Sequence, residues 1–315
     1  MPPYRDKTFW LWLCLLVFLL PARAGAQQDV APIRVGITPA IIHDQYELLI
    51  KWRVYLQEKL GRPVEFVSRD SYRETIDLLT RKKLDFAWVS PFPYFYLERN
   101  RRVRLLATPV YQGRPYYRAY LIVPASDLGT QSLLQLKGKV FAYADLYSFT
   151  GYAIPRHQLQ QAGENPLRFY RKIFFTSGQR RVIEAVAHGL ADGGMVSSFA
   201  WDTLSGVRGD ITAQTRIVSR SQEFGFPPVV AHTSADKEMA AAMQRVLWEM
   251  GQDSEGVHLL KQLQLDRFGP PRVGCSGLVV RGTGDLWQRC RGARPRPQQR
   301  LRESPPLPSP GSPGR

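Results

Sequence analysis

The sequence predicts an α/β protein of two lobes joined by two extended crossovers. Strand-like and helix-like segments alternate in two separate runs, a long extended stretch follows each run, and the breaks fall at glycine, proline and hydroxyl residues. Such alternation implies parallel sheets covered on both faces, with ligands beyond the C-terminal strand ends.

The first 26 residues stand apart. Arg5 and Lys7 precede an apolar run from Phe9 to Leu20, and small residues at Ala24 and Ala26 permit cleavage before Gln27. A membrane anchor competes with this reading, but about a dozen apolar residues fall short of the roughly twenty that span a bilayer. A cleaved signal peptide and a periplasmic address are expected. Cys14 lies in the apolar run, while Cys275 and Cys290 have neither metal-site spacing nor a histidine cluster.

The net charge of +16 raises a nucleic-acid partner, so its distribution matters. From Arg272 onward nine arginines face only Asp285 and Glu303, and the chain ends in a Pro/Ser/Gly-rich stretch that cannot build a core. The tail thus supplies +7 of the +16, the remaining excess is spread along the folded part, and an export signal argues against nucleic acid.

In chain order, Ile33–Ile37 reads as a strand, and Leu48 to Leu60 as an amphipathic helix stopped by Gly61. Pro63–Val67 is a second strand, Ser71–Arg81 a helix and Leu84–Val89 a third strand. Tyr116–Pro124 is the first extended crossover. Beyond it lie a strand starting at Phe141, a strand at Ile173–Phe175, a helix at Arg180–His188 and a strand at Ala191–Val196. Arg216 to His232 returns the chain, and helices follow at Lys237–Gly251 and Glu255–Leu265. The expected organisation is a leader at 1–26, lobe 1 at 27–123 and again at 219–268, lobe 2 at 124–218, and a divergent tail at 269–315.

The stretch Phe141 to Pro155 has the outline of an anion site. A buried strand breaks into Ser148, Phe149, Thr150, Gly151 and Tyr152 where a helical spacing begins, and a helix start offers unpaired N–H groups and partial positive charge. A plain Ser or Thr N-cap has the same outline.

Six motifs in series resemble the periplasmic solute-binding proteins of phosphonate, phosphite and phosphate ABC importers. They are Ser71-Tyr72 leading to Leu84–Trp88, Leu133–Gly138, Ser148–Gly151, Ser177–Arg180 with Ala191-Asp192, Phe226–Val230, and Asp253–Phe268. The resemblance implies two α/β lobes of the type II periplasmic binding protein fold, an oxyanion held in the interlobe cleft, an importer permease as partner and no cofactor. Carried across, Ser148 and Thr150 donate hydroxyls, Thr150, Gly151 and Tyr152 supply N–H groups, and Tyr72 lines the cleft. Phe149 replaces a hydroxyl residue of the family loop, and Gln179 stands where histidine is frequent. Arg180 occupies a position that is acidic in aminoalkylphosphonate binders, where it would repel an ammonium and attract an anionic oxygen. Ser90 and Ser197, at strand ends, complete the candidate set.

An enzyme is not expected: His43, His157, His188, His232 and His258 are scattered, and no nucleophile, metal or phosphate-loop motif occurs. The alternative is a ligand-sensing domain of a membrane receptor kinase, for a phosphorus or sulfur oxyanion. The match ends near Phe268, where a native linker and a shifted reading frame would leave the same composition.

Overall fold

The computed structural model describes residues 31–38, 46–69 and 71–270. The expected leader, the tail from residue 271 and both tail cysteines lie outside the described residues.

Two sheets carry the fold. The first is built from β1 (Ile33–Ile37), β2 (Val64–Ser68), β3 (Phe86–Trp88), β4 (Val103–Val110), β12 (Val229–His232) and β13 (Arg267–Gly269), in the order β13-β4-β12-β3-β1-β2. The second contains β6 (Ala119–Pro124), β7 (Val140–Tyr143), β8 (Lys172–Phe175), β9 (Gly193–Ser197) and β10 (Thr215–Arg220), in the order β10-β6-β9-β7-β8. Between them β5 (Tyr116–Tyr117) and β11 (Phe224–Gly225) form a two-stranded antiparallel ribbon, so the chain changes sheet once on each side of it.

Parallel pairing holds for β1 with β2 and β3, and for β7 with β8 and β9. Both sheets are nevertheless mixed, which corrects the all-parallel expectation: β12 runs antiparallel to β3 and β4, and β6 antiparallel to β9 and β10. β6 and β12 are the strands entered from the crossovers. Their direction is set by where the chain arrives, not by a local helix connection.

The helices are α1 (Tyr46–Leu60), α2 (Tyr72–Thr80), α3 (Pro91–Arg99), α4 (Ile154–Gln161), α5 (Gln179–Ala187), α6 (Ser198–Val207), the single turn α7 (Gly209–Thr212), α8 (Lys237–Glu249) and α9 (Ser254–Gln262). Local chemistry fixes several starts. Ser71 caps its helix by accepting from the Glu74 N–H, and its hydroxyl donates to the Glu74 carboxylate, while Asp236 and Asp253 cap the N–H groups of Met239 and Gly256. Helix α3 escaped the sequence reading because Pro91 and Pro93 sit in its first turn, where a missing N–H costs nothing.

Apolar packing is continuous across the ribbon. Trp88, at the end of β3, lies 6.4 Å from Phe199 of α6, which packs edge-on against Tyr111 (5.4 Å) and Phe226 (5.1 Å). Glu223 accepts from Arg114 and Arg118 across the two crossover strands.

One buried titratable group makes stability depend on pH. His232 ends β12 at 2% exposure, with its Nδ1 3.0 Å from the Ser234 N and 2.7 Å from the Ser234 Oγ. Burial, then the charges of Lys82 and Arg102, hold its pKa below the ordinary 6.5. The unfolded chain therefore takes up this proton first, and the stability present above 6.5 is lost as pH falls towards the depressed native value. Thermal denaturation between about pH 7 and about pH 5 is expected to show a falling melting temperature, with a shallower slope in His232→Gln; equal slopes would remove this assignment.

Candidate functional site

The site grows from the end of β7. After Tyr143 the chain turns at Asp145, whose carboxylate accepts from the Tyr147 N–H at 2.7 Å while its carbonyl accepts from the Ser148 N–H at 2.9 Å. Ser148 then caps a π-helical turn (Phe149–Ala153) that runs into α4, and its Oγ accepts from the Gly151 N–H at 3.1 Å. Gly151 is required by close approach: a Cβ there would meet Ala144 Cβ at 2.6 Å, Ser148 Oγ at 2.9 Å and Met195 O at 3.3 Å.

Gln179 organises the hydroxyls. The turn before it puts Ser177 in the left-handed region (φ 62°), and Gly178 starts α5 with the Gln179 side chain buried at 3% exposure. Its Oε1 accepts from the Ser197 N–H at 2.9 Å. A backbone N–H can only donate, so this bond fixes the amide orientation and turns Nε2 onto Ser148 Oγ (2.9 Å) and Thr150 Oγ1 (3.1 Å). Ser148 Oγ thus accepts two hydrogen bonds and Thr150 Oγ1 accepts one. Each hydroxyl keeps its own proton as a donor.

The first sheet supplies the facing side. Ser90 caps α3 without a side-chain bond to its own helix; instead its Oγ accepts from the Phe149 N–H at 3.3 Å, joining the lobes. Tyr72, the first residue of α2, is wholly buried, and its hydroxyl lies beside Ser148 and Gln179 with no well-formed hydrogen bond to either. Burial, opposed by Ser148 and Gln179, pushes the phenol well above the tyrosine range, so it remains a proton donor. The starts of α2, α3, α5, α6 and the Ser148 turn therefore meet at one place, each following the C-terminal end of a strand.

Other candidates take different positions. Phe149 is fully buried, with its ring edge-on to Phe224 of the crossover at 5.0 Å, an apolar wall on the hinge side. Tyr152 turns its ring onto Tyr143 (5.1 Å) and Phe175 (5.8 Å), under the Arg156 guanidinium. Arg180 donates from Nε to Glu184 at 2.8 Å, an ion pair one turn along its own helix. Ser197 caps α6 through its side chain, so its backbone N–H is the group that reaches Gln179.

Sequence reasoning missed Asp145 as part of this place. Burial raises the pKa of its carboxyl, and the backbone N–H groups of Tyr147 and of Tyr72, across the cleft, oppose that rise. An Asp two residues before an N–H it can accept from was the available signal; the contact with α2 had none. Among the described residues no group of three or more His, Cys, Asp or Glu side chains is placed to hold a metal ion.

Known proteins share this architecture. A family model described as "ABC transporter, phosphonate, periplasmic substrate-binding protein" matches residues 35–272. Among solved structures, the binding-protein component of an ABC phosphonate transporter from Pseudomonas aeruginosa superposes with a TM-score of 0.75 at 20% identity, over 82% of this chain and 88% of that one. PhnD1 from Prochlorococcus marinus, in complex with methylphosphonate, gives 0.71 at 16% identity, over 79% and 96%. An ancestral arginine-binding protein bound to arginine gives 0.55 at 18% identity, over 75% and 99%. The fold is that of the type II periplasmic binding proteins, and by the family match over most of its length the chain belongs to the periplasmic substrate-binding proteins of phosphonate ABC transporters.

Proposed function

We propose that this chain captures a small phosphorus oxyanion of the phosphate, phosphite or phosphonate type between its lobes and delivers it to the permease of an ABC importer. The observation that carries the reading is the hydroxyl set tuned by Gln179: Ser148 and Thr150 are held as acceptors of its amide, so their protons point to a further acceptor, with the Tyr72 and Ser90 hydroxyls facing them. Several neutral donors at convergent helix starts suit an oxyanion, because each donates a charge-assisted hydrogen bond without a buried cation.

The anion meets the Ser148 turn first. Rotation about β5 and β11 then brings Tyr72 and Ser90 onto it, and the permease reads the closed form. The first turn of α5 carries no acidic residue, and Arg180 there is engaged with Glu184, so that turn offers no carboxylate to an ammonium group. The ligand is therefore compact and lacks an amine, and the Phe149 ring faces its apolar substituent.

A thermal-shift screen over phosphate, phosphite, methylphosphonate, 2-aminoethylphosphonate, sulfate, thiosulfate and tetrathionate tests the class. The largest rise is expected from an amine-free phosphorus anion; a ligand at a hundred times its Kd stabilises by about 2.7 kcal/mol. A sulfur anion giving the largest rise would overturn the reading. Calorimetric titration should show affinity falling about ten- to a hundredfold in Ser148→Ala, through loss of one hydrogen bond to a charged group. Gly151→Ala should weaken binding comparably by displacing Ser148 Oγ. Arg180→Ala should change affinity less than either, and a larger loss would place its guanidinium on the ligand.

A further inference from the structure

The second sheet ends in a short, open edge strand, β8. β8 pairs with β7 on one side in unbroken register, from Val140 opposite Lys172 to Tyr143 opposite Phe175, and its other side has no strand partner among the described residues. Natural edges of this kind are commonly bent by a bulge, interrupted by proline or covered. None of these applies between Lys172 and Phe175, where three of four residues are exposed; what guards this edge against self-pairing is its four-residue length and the charge of Lys172.

Its side chains specify what could add to it. Ile173 and Phe175, two apart and so on one face, are 39% and 43% exposed, and Leu167 just upstream is 73% exposed. Arg168, Arg171 and Lys172 surround them, exposed and without an ion-pair partner among the described residues, and no acidic residue lies between Asn165 and Gly178. A second copy of the strand would bring three like charges against these three, which opposes self-pairing. An extended segment alternating acidic with apolar residues meets all three needs at once: backbone pairing, charge and apolar contact.

We propose that β8 is a docking strand for an extended acidic segment of a partner protein, which joins the sheet as its sixth strand. The position ties docking to the ligand loop. Phe175 stacks on Tyr143 at 5.7 Å and contacts the Tyr152 ring of the Ser148 turn at 5.8 Å, and the strand runs directly into the turn that sets Gln179. A partner seated here touches the second side of the loop that holds the hydroxyls. The inference is independent of which anion is bound.

The test uses the full chain and a fluorescein-labelled octapeptide of alternating glutamate and valine, followed by fluorescence anisotropy. The peptide is expected to bind, the lysine–valine counterpart to bind about tenfold more weakly or not at all, and the paired variant Arg171→Glu with Lys172→Glu to reverse that preference. The variant's melting temperature and anion-induced thermal shift should remain those of the parent, and amide exchange at residues 172–175 should slow only when the preferred peptide is present. Absence of binding up to about 1 mM peptide, equal affinity for both peptides, or binding without slowed exchange at 172–175 would each overturn the proposal. So would a dimer in analytical ultracentrifugation that Ile173→Lys dissolves, because a second copy would then occupy the edge.

Discussion

The site depends on one buried amide. Gln179 takes a backbone N–H from Ser197 on its oxygen and gives both hydrogens of its nitrogen to Ser148 and Thr150, so three strand ends of the second sheet are locked by a single side chain. The consequence is directional. A hydroxyl that accepts from an amide must place its own proton elsewhere, and two such hydroxyls beside the starts of several helices make a polarised surface without a formal charge. A charged donor here would carry a desolvation cost that a neutral one avoids.

That surface works only if the other lobe meets it, and the mixed sheets bring this about. The return strand β12 inserts beside β3 and draws its end, with Trp88 and Ser90, towards the crossover. The Trp88 indole donates to Pro227 O at 2.8 Å just before β12, and Ser90 Oγ accepts from Phe149 across the cleft. The aromatic packing of Tyr111, Tyr117, Phe199 and Phe226 fills the side next to the ribbon, so apolar contact lies there and the polar groups stay at the site. Membership of the phosphonate-transporter binding proteins sets the broad class of this machinery.

Much of this was legible in the sequence, and the failures follow from distance along the chain. The strand-helix alternation, both crossovers and the Ser148 turn rest on local patterns, and the reading located them. Helix α3 was hidden by its prolines, and strand direction in β12 and β6 is set by where the crossovers arrive, which no periodicity encodes. The role of Ser90 rests on a bond to a residue 59 positions away. Arg180 shows a further limit: its charge suggests a ligand contact, and the Glu184 ion pair four residues on, equally local, was not read beside it. Asp145 carried a readable Asx turn, but its approach to the start of α2 arises only when the lobes meet.

The most direct measurement is calorimetric titration of Gln179→Leu with the anion that stabilises the parent most. Leucine keeps the volume and removes the bonds that orient Ser148 and Thr150. The account predicts affinity at least about tenfold weaker while the ligand-free protein remains folded, because the hydroxyl protons become free to turn away from the ligand. An unchanged affinity in a folded Gln179→Leu protein would contradict it.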